Sequence, residues 1–160
     1  MDMPEKTIHD LEELKEYAAG FVATLRGGET IGLVGELGAG KTAFVQEVAR
    51  ALGVESAVTS PTFVLMGFHK TGAGAAARGI RTLCHVDAYR LKEESELWEI
   101  GFGDYVGKPD TVIFVEWADR VPSLRGLPGY HELKIGFDEG EVRRLSWDAA
   151  SSPPLQDKPE

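Results

Sequence analysis

The stretch Gly35-Glu36-Leu37-Gly38-Ala39-Gly40-Lys41-Thr42 constrains the fold of this 160-residue chain more than any other feature. It has the spacing of a phosphate-binding loop: a glycine, four residues, then Gly-Lys-Thr. Glycines admit backbone angles closed to other residues and leave room for N–H groups to close around phosphate oxygens. The cradle is expected over Gly35, Glu36, Leu37, Gly38, Ala39, Gly40, Lys41, Thr42 and Ala43. In such a loop Lys41 reaches the β- and γ-phosphates, and the Thr42 hydroxyl binds Mg²⁺. The flanks agree with this reading. Ile31-Gly32-Leu33-Val34 reads as a buried strand, and Phe44, Val45, Val48, Ala49 and Leu52 follow at helical spacing before a stop at Gly53. Strand, loop and helix in that order aim the positive end of the helix at the phosphates. A chance glycine-rich turn would not bring the three together.

The remaining sequence limits the setting. A chain of this length makes one domain with a real core. Its 42% hydrophobic and 27% charged residues are ordinary for a globular protein. No apolar run nears the roughly 18 residues of a membrane helix, and the acidic Met1-Asp2-Met3-Pro4-Glu5 start lacks a signal-peptide layout. The single cysteine, Cys84, cannot form an internal disulfide, which suits a reducing, cytoplasmic setting. The net charge of −9 argues against autonomous nucleic-acid binding. Arg78, Arg81, Arg90, Arg120, Arg125, Arg143 and Arg144 are nonetheless candidates to converge locally. An acidic surface equally suits docking on a basic protein, or solubility alone.

Along the chain, a helix is expected over residues 7–26. Asp10 and Glu13 resemble a capping box, and Leu11, Leu14, Ala18, Phe21, Val22 and Leu25 share one face. Ser60-Pro61-Thr62-Phe63 reads as a loop entering a strand, since proline biases Ser60 to extended geometry. Its Thr62 and Ser60 hydroxyls are candidates for a switch near the γ-phosphate, against the plainer reading of a strand-initiating turn. Strands are expected over 63–68 and 80–86, joined by the small-residue run 70–79, read as a mobile hairpin loop. The second of these strands leads into Asp87. A carboxylate there faces the crevice where open α/β sheets bind ligands, so Asp87 is a candidate for holding a metal-bound water or orienting the attacking one. His85, two residues away on the same face, has packing or a backbone hydrogen bond as its default. Residues 92–107 read as mostly helical. Residues 111–115 read as a strand buried on both faces that ends in Glu116, the way Mg²⁺-binding carboxylates are presented in phosphate-loop enzymes. Trp117, Asp119 and Arg120 extend that loop. A terminal hairpin is expected over 131–137 and 142–147. The domain is placed at 1–148, with a disordered tail at 149–160. The fold expected is α/β and phosphate-loop NTPase-like: a mostly parallel central sheet flanked by helices, with antiparallel hairpins.

Guanine-specific recognition is disfavoured. The chain has no asparagine, so an Asn-Lys-x-Asp base-reading element is missing. Asp104-Tyr105-Val106-Gly107 matches an Asp-x-x-Gly pattern but follows no buried strand. ATP is the expected nucleotide.

Four blocks in order carry a more particular resemblance: the phosphate loop, Ser60-Pro61-Thr62-Phe63, His85-Val86-Asp87-Ala88-Tyr89-Arg90-Leu91, and Val115-Glu116-Trp117. With Glu96-Leu97-Trp98-Glu99-Ile100-Gly101, they resemble the bacterial TsaE (YjeE) ATPases of tRNA threonylcarbamoyladenosine biosynthesis, over about residues 7–147. The resemblance implies an ATP- and Mg²⁺-dependent ATPase partnering TsaB and TsaD, which form the transferase core acting on the adenosine beside the anticodon. Any contact with tRNA would then come through that complex. It implies that Lys41 and Thr42 bind phosphate and metal, that Glu116 completes the Mg²⁺ site, and that Asp87 acts at the water or metal. Thr62 falls in a switch-like segment, Trp117 lies close to the nucleotide, and Arg144 and the residues around Asp10 approach the adenine. The chain departs from the family at Ala43, where a second hydroxyl is common, in the Gly/Ala-rich 70–79 run and in the tail. Two other classes stay open: a small-molecule kinase, with Gly72 to Arg81 as a lid, and a nucleotide-sensing binding module.

Overall fold

Seven strands form one sheet among residues 5–59 and 65–147, which the computed structural model describes. They are β1 (Lys6–Ile8), β2 (Thr30–Val34), β3 (Met66–Lys70), β4 (Thr82–Asp87), β5 (Thr111–Glu116), β6 (Tyr130–Phe137) and β7 (Arg143–Trp147). Their order is β1-β7-β6-β2-β5-β4-β3. The centre is parallel, with β4 on β5, β5 on β2 and β2 on β6. The edges are antiparallel, with β3 on β4, β7 on β6 and β1 on β7. The helices are α1 (Leu11–Thr24), α2 (Lys41–Ala51), α3 (Ala73–Ala77) and α4 (Ser95–Glu99).

β5 is buried along its whole length, and its alternation divides the core. Val112 and Phe114 face the side covered by α1 and α2, where Phe21, Phe44, Ile31, Leu33, Leu83 and Leu133 join them. Ile113 and Val115 face the other side, packed with Val86, Leu97, Phe102, Val121, Leu124 and Tyr130. On the first side, the Phe44 ring centroid lies 5.9 Å from Phe21 and 6.3 Å from Phe114. Burying each such ring stabilises the fold by about 1.5–3 kcal/mol relative to exposure. These rings seat α2 directly behind the loop that precedes it.

Several elements differ from expectation. The first helix begins at Leu11, after a three-residue strand. Asp10 caps it, accepting from the Glu13 amide at 2.9 Å. Glu13 reaches back to the His9 amide, one residue beyond a standard capping box. The 70–79 run is not a free loop. It folds α3, buries Ala75 and packs Gly72 against Gly53, where an added Cβ would stand 2.9 Å from the Gly53 carbonyl oxygen. Arg78 then donates to the carbonyls of Val22, Ala23 and Leu25 at the end of α1. Helix-terminal carbonyls lack intrahelical partners, and the guanidinium supplies them. Residues 92–107 hold only α4 and a 3₁₀ turn at Phe102–Asp104, because Gly101 enters the left-handed region at φ 91°. The strand expected at 63–68 is described from Met66 to Lys70. Ser60, Pro61, Thr62 and Phe63, and the proposed tail, lie outside the described residues.

Candidate functional site

The parallel register brings the site together. Asp87 pairs with Glu116 at the carboxyl ends of β4 and β5, and Glu116 pairs with Leu33 of β2. Beyond Leu33 and Val34 the chain turns through the glycine-rich loop into α2. Gly35 must be glycine, since a Cβ there would lie 2.2 Å from the Ile135 carbonyl oxygen of β6. Gly40 is the N-cap of α2 at φ 110°, a left-handed conformation that L side chains rarely adopt. The loop is thereby pressed against the sheet, with the first amides of α2 turned to the crevice.

A cleft of about 290 Å³ opens there, lined by Leu37, Gly38, Gly40, Lys41, Thr42, Ala43, Asp87, Tyr89, Glu116 and Trp117. Lys41 is 4% exposed, and its Nζ donates to the Gly35 and Glu36 carbonyls at 2.6 and 2.9 Å. It also sits 3.9 Å from the centre of the Trp117 ring. Burial pushes the ammonium pKa down, opposed by the charges of Glu116, Asp119 and Asp87. The Thr42 hydroxyl donates to Glu116 Oε1 at 2.7 Å, and His85 Nε2 meets Glu116 Oε2 at 2.5 Å. Asp87 Oδ1 accepts from the Tyr89 amide at 3.0 Å. Burial nevertheless raises the Asp87 pKa, with nearby Glu116 adding to the rise. Trp117 is the one described non-glycine residue at positive φ, 59°. That geometry costs about 1–2 kcal/mol for an L-residue and turns the indole back over Lys41. Tyr89 packs on the indole at 4.9 Å, and the Arg120 guanidinium lies over both rings.

These groups suit one chemistry. A buried cation, helix amides and glycine backbone favour polyanionic phosphate. The Thr42 hydroxyl and the Glu116 carboxylate are hard oxygen donors side by side, with Asp87 on the next strand. Such a set fits Mg²⁺, which takes one or two protein oxygens and completes its shell with phosphate and water. No group of three or more His, Cys, Asp or Glu side chains among the described residues forms a metal cage of its own.

A second cleft, about 340 Å³, lies on the other side of the loop. Ala39, Gly40 and Ala43 form one wall, and His9, Asp10, Leu11, Leu14, Glu141 and Arg143 form much of the rest. Asp10 is thus part of this cleft. Arg144 is not: its guanidinium turns to Asp138 and Glu5, and the neighbouring Arg143 lines the cleft. Strand alternation is the reason, since Arg143 shares a face with buried Leu145. Arg143 Nε also donates to the Ala39 carbonyl at 3.1 Å, which ties β7 to the loop. Thr62 lies outside the described residues. Besides Arg143, the structure adds Tyr89 to the site and shows the Glu116 carboxylate, rather than packing or backbone, as the hydrogen-bond partner of His85.

A central β2 followed by a glycine loop, α2, and carboxylates ending β4 and β5 defines a phosphate-loop NTPase-like α/β protein. A crystal structure of Bacillus subtilis YdiB shares the fold, with TM-score 0.67 and 25% identity, covering 92% of this chain and 87% of that one. The family model for threonylcarbamoyl adenosine biosynthesis protein TsaE matches residues 8–145, and the chain belongs to the TsaE family. The chain is similar to the tRNA threonylcarbamoyladenosine biosynthesis proteins TsaE of three bacteria. The Streptomyces coelicolor protein is 40% identical over 110 residues, 66% of this chain and 68% of that protein. The Bacillus subtilis protein is 36% identical over 136 residues, 82% and 78% of the two. The Rickettsia bellii protein is 35% identical over 118 residues, 73% and 76%.

Proposed function

We propose that this protein binds and hydrolyses ATP with Mg²⁺, as the accessory ATPase of tRNA threonylcarbamoyladenosine formation, acting on a TsaB–TsaD transferase complex. One observation carries the catalytic half of this reading: Lys41, the Thr42–Glu116 pair and Asp87 meet in a single cleft at the carboxyl ends of β2, β4 and β5. Family membership carries the biological half. Phosphoryl transfer asks a protein chiefly for positioning and charge neutralisation. Lys41 supplies a fixed positive charge at the phosphates, and the α2 amides bind their oxygens. Thr42 and Glu116 would hold Mg²⁺, which neutralises charge developing on the phosphoryl oxygens. Asp87 borders the cleft as an acceptor for the attacking water, and Trp117 covers the lysine. The second cleft, with its apolar Leu11 and Leu14, offers room for the adenine beside Asp10 and Arg143.

The segment that a small-molecule kinase would use as a lid, Gly72 to Arg81, is engaged through Arg78 with the end of α1. ATP hydrolysis without a second small substrate is the simpler reading. Lys41→Ala tests it. The variant should keep its fold and lose ATP affinity by about 10–100-fold, the value of a charge-assisted contact. Calorimetry with ATP and Mg²⁺, beside steady-state hydrolysis, measures both. Wild-type turnover in a folded Lys41→Ala protein would refute the assignment.

A further inference from the structure

Each oxygen of the Glu116 carboxylate has its own partner. Oε1 receives the Thr42 hydroxyl at 2.7 Å, and Oε2 receives His85 Nε2 at 2.5 Å. We propose that His85 is a positioning residue for the divalent-cation site: by holding Oε2 it fixes the rotation of the carboxylate and so sets the affinity for Mg²⁺ in the nucleotide complex. This rests on the ATP–Mg²⁺ reading above and deepens it.

An ionised carboxylate can only accept, so the imidazole donates and its proton sits on Nε2. The terminal torsion of a glutamate side chain is broad and has no sharp staggered preference, so a partner must set it. His85 is placed to do that. It pairs with Phe114 in the parallel ladder, which puts it on the face of Glu116 but two residues deeper in the sheet. The ring is fully buried and does not line the cleft, so it acts on the site through its neighbours, of which Glu116 is the one it bonds. On its own face Leu83 and Phe114 are apolar, and the polar neighbours are Glu116, which it bonds, and Asp87, with His69 near by. Nδ1 has no hydrogen-bond partner among the described residues. Keeping a polar ring there carries a burial cost, and the bond to Glu116 is the polar interaction set against it. Lys41, the nearby cation, spends its Nζ bonds on the Gly35 and Glu36 carbonyls. The orienting contact on Oε2 therefore falls to His85. Partners of this kind behind a ligating group commonly change metal affinity by about 10–100-fold when removed.

The test uses the full chain with a non-hydrolysable ATP analogue. Nucleotide binding is followed by calorimetry in EDTA and across a Mg²⁺ titration. His85→Leu should raise the half-saturating Mg²⁺ concentration by about 10–100-fold and leave affinity in EDTA unchanged. His85→Gln, whose amide N–H can donate to Oε2, should recover most of the loss. A role in packing alone would lower the melting temperature of both variants without moving the Mg²⁺ dependence, and that result overturns the proposal. So does a parallel loss of affinity in EDTA. If His85→Leu does not fold, the wild-type protein decides. Its imidazole ¹⁵N spectrum should show His85 protonated at Nε2, shifting when Mg²⁺ is added to the nucleotide complex and not when nucleotide is added alone. An unmoved signal overturns the proposal. Wild-type protein that binds nucleotide with no Mg²⁺ dependence overturns the cation site itself, and the role of His85 with it.

Discussion

At Glu116 and Asp87, two carboxylates on adjacent strand ends sit in different surroundings, and their variants should differ accordingly. Glu116 is 3% exposed and bonded on both oxygens. Glu116→Gln keeps the shape and removes the charge that would hold Mg²⁺. ATP binding should largely persist while hydrolysis falls by at least about a hundredfold; calorimetry and single-turnover assays separate the two. Asp87 carries a pKa raised by burial, so its ionised form disfavours the fold at neutral pH. A raised folded-state pKa means that this penalty is present above the folded pKa. It disappears as pH falls through that value toward the unfolded one, about 3.9. Asp87→Asn should therefore melt higher than wild type near pH 7, with the gap closing toward pH 4, while hydrolysis falls. A variant that melts lower at pH 7 would show that the favourable interactions of the charged carboxylate, with the Tyr89 amide, His85 and Arg90, outweigh burial. Lys41, Thr42, Asp87 and Glu116 were legible in the sequence because motif spacing and strand-end position fix them. The choice of Arg143 over Arg144 as the cleft residue follows strand parity, which the apolar Leu145 two residues on could have signalled. The His85–Glu116 bond depends on cross-strand register, which local spacing does not encode.

Among the elements, α3 shows how a Gly/Ala-rich run acquires a place. Its side chains bury little, yet Arg78 donates to three carbonyls at the end of α1, and Thr71 Oγ1 donates to the Ile80 carbonyl at 2.6 Å. Arg78→Ala should lower stability by about 1 kcal/mol, the net value of such contacts at a partly exposed site, and leave nucleotide affinity unchanged. Urea unfolding beside calorimetry reads both, and an unchanged midpoint would make the contact incidental. The central strands and α2 were legible because their apolar periods are long and the loop between them is specific. β1, of three residues, carries too little pattern to register; it exists because β7 offers it an edge, with Thr7 opposite Arg144. α3 was read as loop because glycine and alanine give no amphipathic signal, and the reach of Arg78 to α1 is a tertiary fact. The helix expected across 92–107 overran because Leu97 and Phe102 face the core from a segment broken by Gly101 and Gly103.

For the whole molecule, the ATPase proposed above is expected to turn over slowly by itself, because its cleft is not closed. The cleft wall stands open to solvent: Leu37 is 76% exposed at the loop and Tyr89 is 44% exposed across from it. Water then competes for the phosphates and screens the charges of Lys41 and Glu116, which act most strongly in a closed, dry site. The protein carries a net charge of −9, and no helix among its described residues is long and apolar enough to cross a membrane. A protein surface that closes over Leu37 and Tyr89 would exclude water and fix the attacking molecule in front of Asp87. Turnover should accordingly be slow alone and rise when TsaB and TsaD are added together. Reciprocity requires that ATP in turn tighten docking, if stimulation reflects coupled binding. Thr62→Ala, in the segment whose hydroxyls are the sequence's candidates for a switch, should blunt the stimulation more than it weakens ATP binding. The measurement is a steady-state ATPase titration with the two partners, beside docking measured with ATP, with ADP and without nucleotide. A rate indifferent to partners, together with docking indifferent to nucleotide, would remove the remodelling role and return the site to a self-contained kinase or a nucleotide sensor. Phosphate transfer to a small acceptor would then choose the first, and nucleotide binding without turnover the second.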